Sequence, residues 1–308
     1  MTHCHYSDLD DDSVLVLRGA AIAEFLQGQL TCDTRQLAAT RSVPGALCNV
    51  QGRVIADLRV LLPEPALGLL RLGGDLQEHT AAVLRKYAMF SRIDVAAADG
   101  EWRLGGLWGP GARAALEQTC GSAPPATAGD VLAGEDWLMV CSDDDGTAFE
   151  CYFRGARGDS LRDALRGAAT AGNDWRAREL RRGLVRLGGG QTEKHLPQAL
   201  NYDLAGLVSF RKGCYTGQEV IARLHYRGKA KKRACLYHAP PGVPVAAGET
   251  LRGDDGAALG AVLRCAGEAD GGTLLAALLR PQDHGLPAHS AAGDPLAPQP
   301  WPYDAAGV

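Results

Sequence analysis

The residues able to do chemistry concentrate in one stretch of the chain, residues 201–233, which reads NYDLAGLVSFRKGCYTGQEVIARLHYRGKAKKR. Cys214 lies there with Arg211 and Lys212 just before it. Leu207-Val208-Ser209-Phe210 reads as a short strand leading into this turn. Thr216 and Glu219 have the spacing of a capping box, in which each side chain bonds the other's backbone N–H. Val220, Ile221 and Leu224 supply the apolar side of the helix that follows. A thiol ahead of a helix N-terminus, with two cations nearby, favours the thiolate and is expected to ionise below the free value of about 8.5. Cys214 is therefore a candidate reactive thiol, with Lys212 tuning it. A thiol that merely packs under the turn fits the same spacing. No His, Asp or Asn is tied to Cys214 by sequence as base and orienter, so a papain-like triad is not indicated.

Arg211, Lys212, Arg223, Arg227, Lys229, Lys231, Lys232 and Arg233 form a basic run opposed only by Glu219. The whole chain carries a formal net charge of −4, so this run marks a local anion site and not a general polyanion coat. A carboxylate-rich small molecule, a phosphate or an RNA backbone suits it, and a solvated linker is the plain alternative. Tyr215 and Tyr226 add flat surfaces for a heterocycle. Other motifs carry less. Gly188-Gly189-Gly190 lacks the Lys-Ser/Thr of a phosphate loop. Gly105-Gly106 with Gly109 and Gly111 misses the dinucleotide pattern, and Asp143-Asp144-Asp145-Gly146 reads as a hairpin turn without further calcium ligands.

The elements that must position these residues belong to a chain of 308 residues, 46% hydrophobic and 22% charged. That length suits two or three domains, and the composition excludes a disordered chain. No apolar run reaches the roughly 18 residues of a membrane span. The polar, acidic start does not resemble a secretory signal, so the expected location is cytoplasmic. The nine cysteines are odd in number and none are paired at CxxC spacing, which argues against a disulfide framework, a zinc ribbon or a bound cluster. Most sit in apolar context and read as small core residues; no metal site is expected.

Ser13–Arg18 followed by Gly19 and a helix bearing Ile22, Phe25, Leu26 and Leu30 reads as a strand–turn–helix unit. A similar unit recurs over 103–120, through Gly109-Pro110-Gly111 to Ala112, Ala115 and Leu116. The two read as pseudo-equivalent halves of one domain with the intervening sequence inserted. That intervening stretch carries a hairpin across Gln51-Gly52, a third strand at 69–72, and a helix signalled by Asp75 and Glu78 with Leu76, Val83, Leu84 and Tyr87 on one face. Asp159 is expected to precede a helix with Leu161, Ala164, Leu165 and Ala168, and Asn173 to cap another. From Arg233 short apolar runs alternate with Gly- and Pro-rich turns, the texture of a small all-β domain. The Pro/Ala/Gly-rich stretch from Gly285 is either a loose tail or an edge segment laid back on it.

Lys212-Gly213-Cys214-Tyr215-Thr216-Gly217-Gln218-Glu219 with Ala222-Arg223 resembles the signature of the YgfZ family of folate-binding proteins. FLQGQLTCD at 25–33, NVQGRVIAD at 49–57 and Leu196-Pro197-Gln198 with Asn201 extend the likeness over nearly the whole chain. The resemblance implies an α+β fold similar to the glycine-cleavage T-protein: a three-lobed ring of two α+β domains and a C-terminal β-barrel. The implied divisions are 1–35 with 99–222, an inserted 36–98, and 223–308. It implies tetrahydrofolate or a derivative as ligand, iron–sulfur proteins as clients, an indirect link to tRNA modification, and no membrane partner. The expected catalytic pair is Cys214 and Lys212; the expected folate contacts are Gln218, Glu219, Arg223, Tyr226 and Asn201. A pterin needs an amide or carboxylate at its edge and a glutamate tail needs Arg or Lys, which these residues supply by type.

Two departures stand out. T-proteins carry Asn-Ala and a catalytic acid where this chain reads Leu72-Gly73-Gly74-Asp75, which argues against aminomethyl transfer. The acid common just before the glycine at Gly183 is replaced by Arg181-Arg182, with Glu179 as a substitute. An aminomethyltransferase-like enzyme and an RNA-binding module remain the alternative readings.

Overall fold

The computed structural model describes residues 3–170 and 175–303. The chain forms two compact units, one of Met1–Leu47, Ala56–Gly172 and Gly213–Tyr215, the other of Cys48–Ile55, Asn173–Lys212 and Thr216–Val308.

The strands of the first unit are, in chain order, β1 (His5–Asp8), β2 (Asp12–Arg18), β3 (Val43–Cys48), β4 (Val54–Glu64), β5 (Leu67–Gly73), β6 (Asp94–Ala97), β7 (Arg103–Trp108), β8 (Val131–Gly134), β9 (Trp137–Cys141) and β10 (Ala148–Phe153). Its helices are α1 (Ile22–Gln27), α2 (Gln77–Ser91), α3 (Ala112–Cys120) and α4 (Gly155–Ala168). The strands build two five-stranded sheets, ordered β3-β4-β5-β2-β6 and β8-β9-β10-β7-β1. The sheets repeat one plan: β2-α1-β3-β4-β5-α2-β6 corresponds element by element to β7-α3-β8-β9-β10-α4-β1. The two strand–turn–helix units are thus equivalent, each at the same place in its own sheet. The stretch between them completes the first sheet instead of standing as an insertion, because β2 pairs with both β5 and β6. The last strand of the second sheet comes from the N-terminal end of the chain.

The strands are nearly continuous apolar runs, the pattern of sheets covered on both faces. Within this core sits a charge network. Arg71, fully buried, donates from Nε to Asp12 Oδ2 at 2.6 Å and places Nη1 2.9 Å from Glu150 Oε2. Arg59 Nε donates to the same Glu150 oxygen at 2.8 Å, and the Tyr152 hydroxyl donates to it at 3.1 Å. Burial and the Glu150 charge push the Tyr152 phenol well above its ordinary range, so it stays a neutral donor.

The second unit contains α5 (Trp175–Arg181), α6 (Gln218–Arg227) and strands β11 (Arg233–Ala239), β12 (Thr250–Arg252), β13 (Ala258–Gly267), β14 (Thr273–Leu279), β15 (Ala288–His289) and β16 (Pro295–Gln299). Pairing runs β11-β14-β13-β12-β15-β16 and returns from β16 to β11, so the sheet closes on itself. Tyr237, Leu251, Val262, Leu275, Ala277 and Leu279 fill its interior. The Pro/Ala/Gly-rich stretch is laid back on the sheet as β15 and β16.

Several local expectations are corrected. Residues 207–210 form no strand; Leu207 and Val208 are buried, but the Leu207 N–H is taken by the Tyr202 carbonyl at 2.9 Å in a local turn. Helix α2 buries Thr80, Ala81, Leu84 and Ala88, so its inner face is rotated from the expected one and Tyr87 is exposed. Helix α4 begins at Gly155, placing Asp159 inside it, and buries Gly158 and Leu165 while Ala164 and Ala168 are exposed. Asn173 lies outside the described residues. Among the described residues no helix is long and apolar enough to cross a membrane.

Candidate functional site

The site is built on the tight turn Asn49–Arg53. The Asn49 side-chain oxygen accepts the backbone N–H groups of Gln51 and Arg53, both at 3.0 Å, an Asx arrangement that fixes the turn. The Asn49 amide donates to Glu193 Oε2 at 2.9 Å. Main-chain bonds clip residues 193–195 to the strand that follows: Val54 N–H to His195 O at 2.8 Å, and Glu193 N–H to Val54 O at 2.7 Å. The Arg53 guanidinium donates to the Lys194 carbonyl at 2.5 Å. Burial, with Lys194 and Arg53 nearby, holds the His195 imidazole below its ordinary value.

Helix α6 is seated on this turn through Gly217. Its φ is +83°, and a Cβ there would fall 2.9 Å from Gly52 Cα and closer still to the Asn49 carbonyl oxygen. Only glycine permits both the conformation and the approach. This geometry also removes the expected capping box. The N-cap is Gly217 itself, with no side-chain cap bond, so Thr216 and Glu219 do not close on each other's N–H groups.

Ahead of the helix the signature loop sorts its side chains. Lys212 is buried, Cys214 is exposed and Tyr215 is buried. Cys214 is the one exposed cysteine of the nine; six are buried and two half-buried. Burial raises the thiols of Cys120 and Cys265 to about 11, and those of Cys48, Cys151 and Cys235 further. The core thiols are thereby held protonated, as apolar context suggests.

On α6, Ile221 is fully buried and its carbonyl accepts from Gln198 Nε2 at 2.8 Å. Gln218 is half-buried, while Glu219, Arg223 and Tyr226 are exposed, Tyr226 at 67%. These four share one helix, with Lys212 and Cys214 on the loop before it. Asn201 stands elsewhere. It is fully buried in the left-handed conformation, its amide donating to Ala234 O at 2.8 Å and its oxygen accepting from Arg233 at 3.2 Å. Arg233 also grips Asp203 with two bonds of 3.0 and 2.9 Å. Asn201 therefore braces the start of β11.

Residues that sequence reasoning missed are Glu193, His195 and Arg53. The Asn49–Arg53 hairpin was legible, but nothing in its spacing names the partner segment more than 140 positions on. Near the other departure, Glu179 is buried and accepts from Arg176 at 2.8 Å, and Arg181 bonds Glu268 at 2.6–2.8 Å. Glu268 and Asp270 flank His238 at 3.6 and 3.3 Å, a polar cluster that Arg181 joins from α5 through Glu268.

No family model matches the chain. Its fold is that of the aminomethyltransferase T class: glycine cleavage system aminomethyltransferase T from Bartonella henselae superposes with a TM-score of 0.76, covering 99% of this chain and 86% of that one at 19% identity. The tRNA-modifying protein YgfZ of Klebsiella pneumoniae (strain 342) is 31% identical over 280 residues, 89% of this chain and 84% of that protein. The protein of the same name from Sodalis glossinidius (strain morsitans) is 32% identical over 304 residues, 96% and 92% of the two chains. The chain belongs to the YgfZ family.

Proposed function

We propose that this protein is a cytoplasmic tetrahydrofolate-binding accessory factor that supports iron–sulfur cluster assembly or repair and, through its client enzymes, tRNA modification. One observation carries the reading: the only exposed thiol, Cys214, sits in a signature loop whose helix is seated by Gly217 on the Asn49–Arg53 turn. Family membership and the T-class fold support it. The donor set on α6 suits the ligand. Gln218 and Glu219 offer an amide and a carboxylate to a pterin edge, and Arg223 offers a guanidinium to the glutamate tail. Asn201 does not belong to that set, because both ends of its amide are already committed. The three-lobed arrangement of T-class proteins, with 223–308 as a C-terminal β-barrel lobe, is carried over with the reading.

The test is calorimetric titration of the full chain with tetrahydrofolate. Wild type binds saturably, and Arg223→Ala, an exposed substitution, weakens binding by about tenfold, the order of one charge-assisted hydrogen bond. A folded wild type that binds no tetrahydrofolate refutes the ligand. For the thiol, Cys214→Ala in a deletion strain leaves iron–sulfur enzyme activity low; full restoration removes Cys214 from the function.

A further inference from the structure

We propose that the outer face of α6 and the segment after it bind single-stranded nucleic acid, with Tyr226 as the stacking surface. This does not rest on the folate reading and comes from different observations.

The first is charge without partners. Arg211, Arg223, Arg227, Lys229, Lys231 and Lys232 are all exposed, and among the described residues none has a side-chain hydrogen bond or ion pair. Elsewhere arginines are engaged: Arg59 and Arg71 with Glu150, Arg233 with Asp203, Arg181 with Glu268. From residue 204 to 248 Glu219 is the sole acid, in a chain of net charge −4. Six uncommitted cations on one short segment of an acidic protein complement a polyanion.

The second is an aromatic cluster in the midst of that charge. The Phe210 and His225 rings stack with centroids 3.6 Å apart and planes 10° from parallel. Tyr226 meets them edge-on at 6.2 and 4.7 Å. Phe210 and His225 thus prop Tyr226 while leaving it 67% exposed. Arg223, Tyr226 and Arg227 lie three and four residues apart, on one face of the helix. A propped, exposed ring on the same short helix as two exposed guanidinium groups fits a base with its neighbouring phosphates, the arrangement by which single strands are held without sequence readout. A glutamate tail would satisfy the charges and leave the ring unused. A duplex would satisfy them and offer no unstacked base.

The test uses fluorescence anisotropy of the full chain with fluorescein-labelled oligouridylate of 15 nucleotides at 50 mM salt. Saturable binding is expected. If four to six phosphates are contacted, the affinity falls by about 50- to 340-fold between 50 and 200 mM salt, from a slope of about −0.7 per contact. Tyr226→Ala weakens binding by about 5- to 160-fold and Tyr226→Trp restores it, since loss of one stacked base has that cost. Lys229→Glu with Lys231→Glu and Lys232→Glu abolishes it. Oligothymidylate binding equally well supports the shared single-strand chemistry, and preference for the uridylate narrows the ligand to RNA. Three results overturn the proposal: no binding at 50 mM salt, binding indifferent to Tyr226→Ala, or a polyglutamate peptide or blunt duplex binding as tightly as the single strand. Tetrahydrofolate titration of Tyr226→Ala is run alongside, so that failure of this surface and failure of the folate reading are told apart.

Discussion

Three glycines, Gly206, Gly213 and Gly217, allow the seating of α6 to be measured. Gly217→Ala imposes two costs at once. A non-glycine residue at φ +83° costs about 1–2 kcal/mol, the ordinary penalty of the left-handed region. The new Cβ also meets backbone atoms of Gly52 and Asn49, which cannot rotate away as a side chain would, and backbone displacement of this kind adds about 1–3 kcal/mol. The sum is about 2–5 kcal/mol. Gly206, at φ +79° with nothing within 4 Å of its would-be Cβ, carries the first cost alone, so Gly206→Ala loses about 1–2 kcal/mol. Gly213 has open space and no positive φ, so Gly213→Ala is neutral or gains up to about 1 kcal/mol through the unfolded chain. Urea unfolding followed by tryptophan fluorescence reads the series. With a slope of about 3 kcal/mol per molar, the upper end expected for a chain of this size, Gly217→Ala lowers the midpoint by about 0.7–1.7 M. If Gly217→Ala costs no more than Gly206→Ala, the Asn49–Arg53 turn does not press on Gly217 and the seating argument fails.

Two further predictions concern buried charge. Glu150→Gln leaves Arg59 and Arg71 facing a neutral acceptor inside the core and destabilises the first unit by about 3–5 kcal/mol; a loss under about 1 kcal/mol in a thermal melt would show the network is not buried as described. His195 titrates below its ordinary 6.5 in the folded chain, so the unfolded chain takes up the proton first as pH falls. Its contribution is complete above about pH 6.5 and is lost below it, and His195→Gln flattens the decline in urea midpoint as the pH falls below about 6.5. His284 is also held low by burial, so part of the slope persists in the variant; a slope unchanged by His195→Gln contradicts the assignment.

The strand–turn–helix pairs at 13–30 and 103–120 could be read in the sequence because each depends on local periodicity, and both occur, although α1 ends at Gln27 and Leu30 is buried beyond it, bridged to Leu47. Their partners could not be. The pairing of β1 with β7 joins residues about 100 positions apart, and no hydrophobic pattern encodes which edge a four-residue strand completes. The helix boundaries missed at α4 and the rotated face of α2 have the same origin: burial is decided by the sheet underneath, which the helix's own spacing does not name. In the candidate site the composition of the signature was legible, and so was the basic run. The capping box was not excluded by sequence, because Thr216 and Glu219 have correct spacing; the close backbone approach at Gly217 overrules it. Asn201 was read as a ligand contact from its position in the resemblance, while its burial follows from Ala234 and Arg233, more than 30 residues on.

The placement of β1 at the open side of β7 bears on how the chain is made. Residues 5–8 leave the ribosome well before the strand they pair with, which is synthesised about 100 residues later. The second sheet therefore cannot be completed in order of synthesis, whereas β2 to β6 are available consecutively for the first. Until β1 docks, β7 presents an unpaired edge, the kind that recruits strands from other chains. Asp8, lying 3.2 Å from Arg166 on α4, and the Cys4 carbonyl, accepting from Thr170 N–H at 2.9 Å, fasten that late closure. Deleting residues 1–8 would therefore leave the site residues in place and convert β7 into a permanent edge, trading a completed sheet for a surface prone to strand exchange.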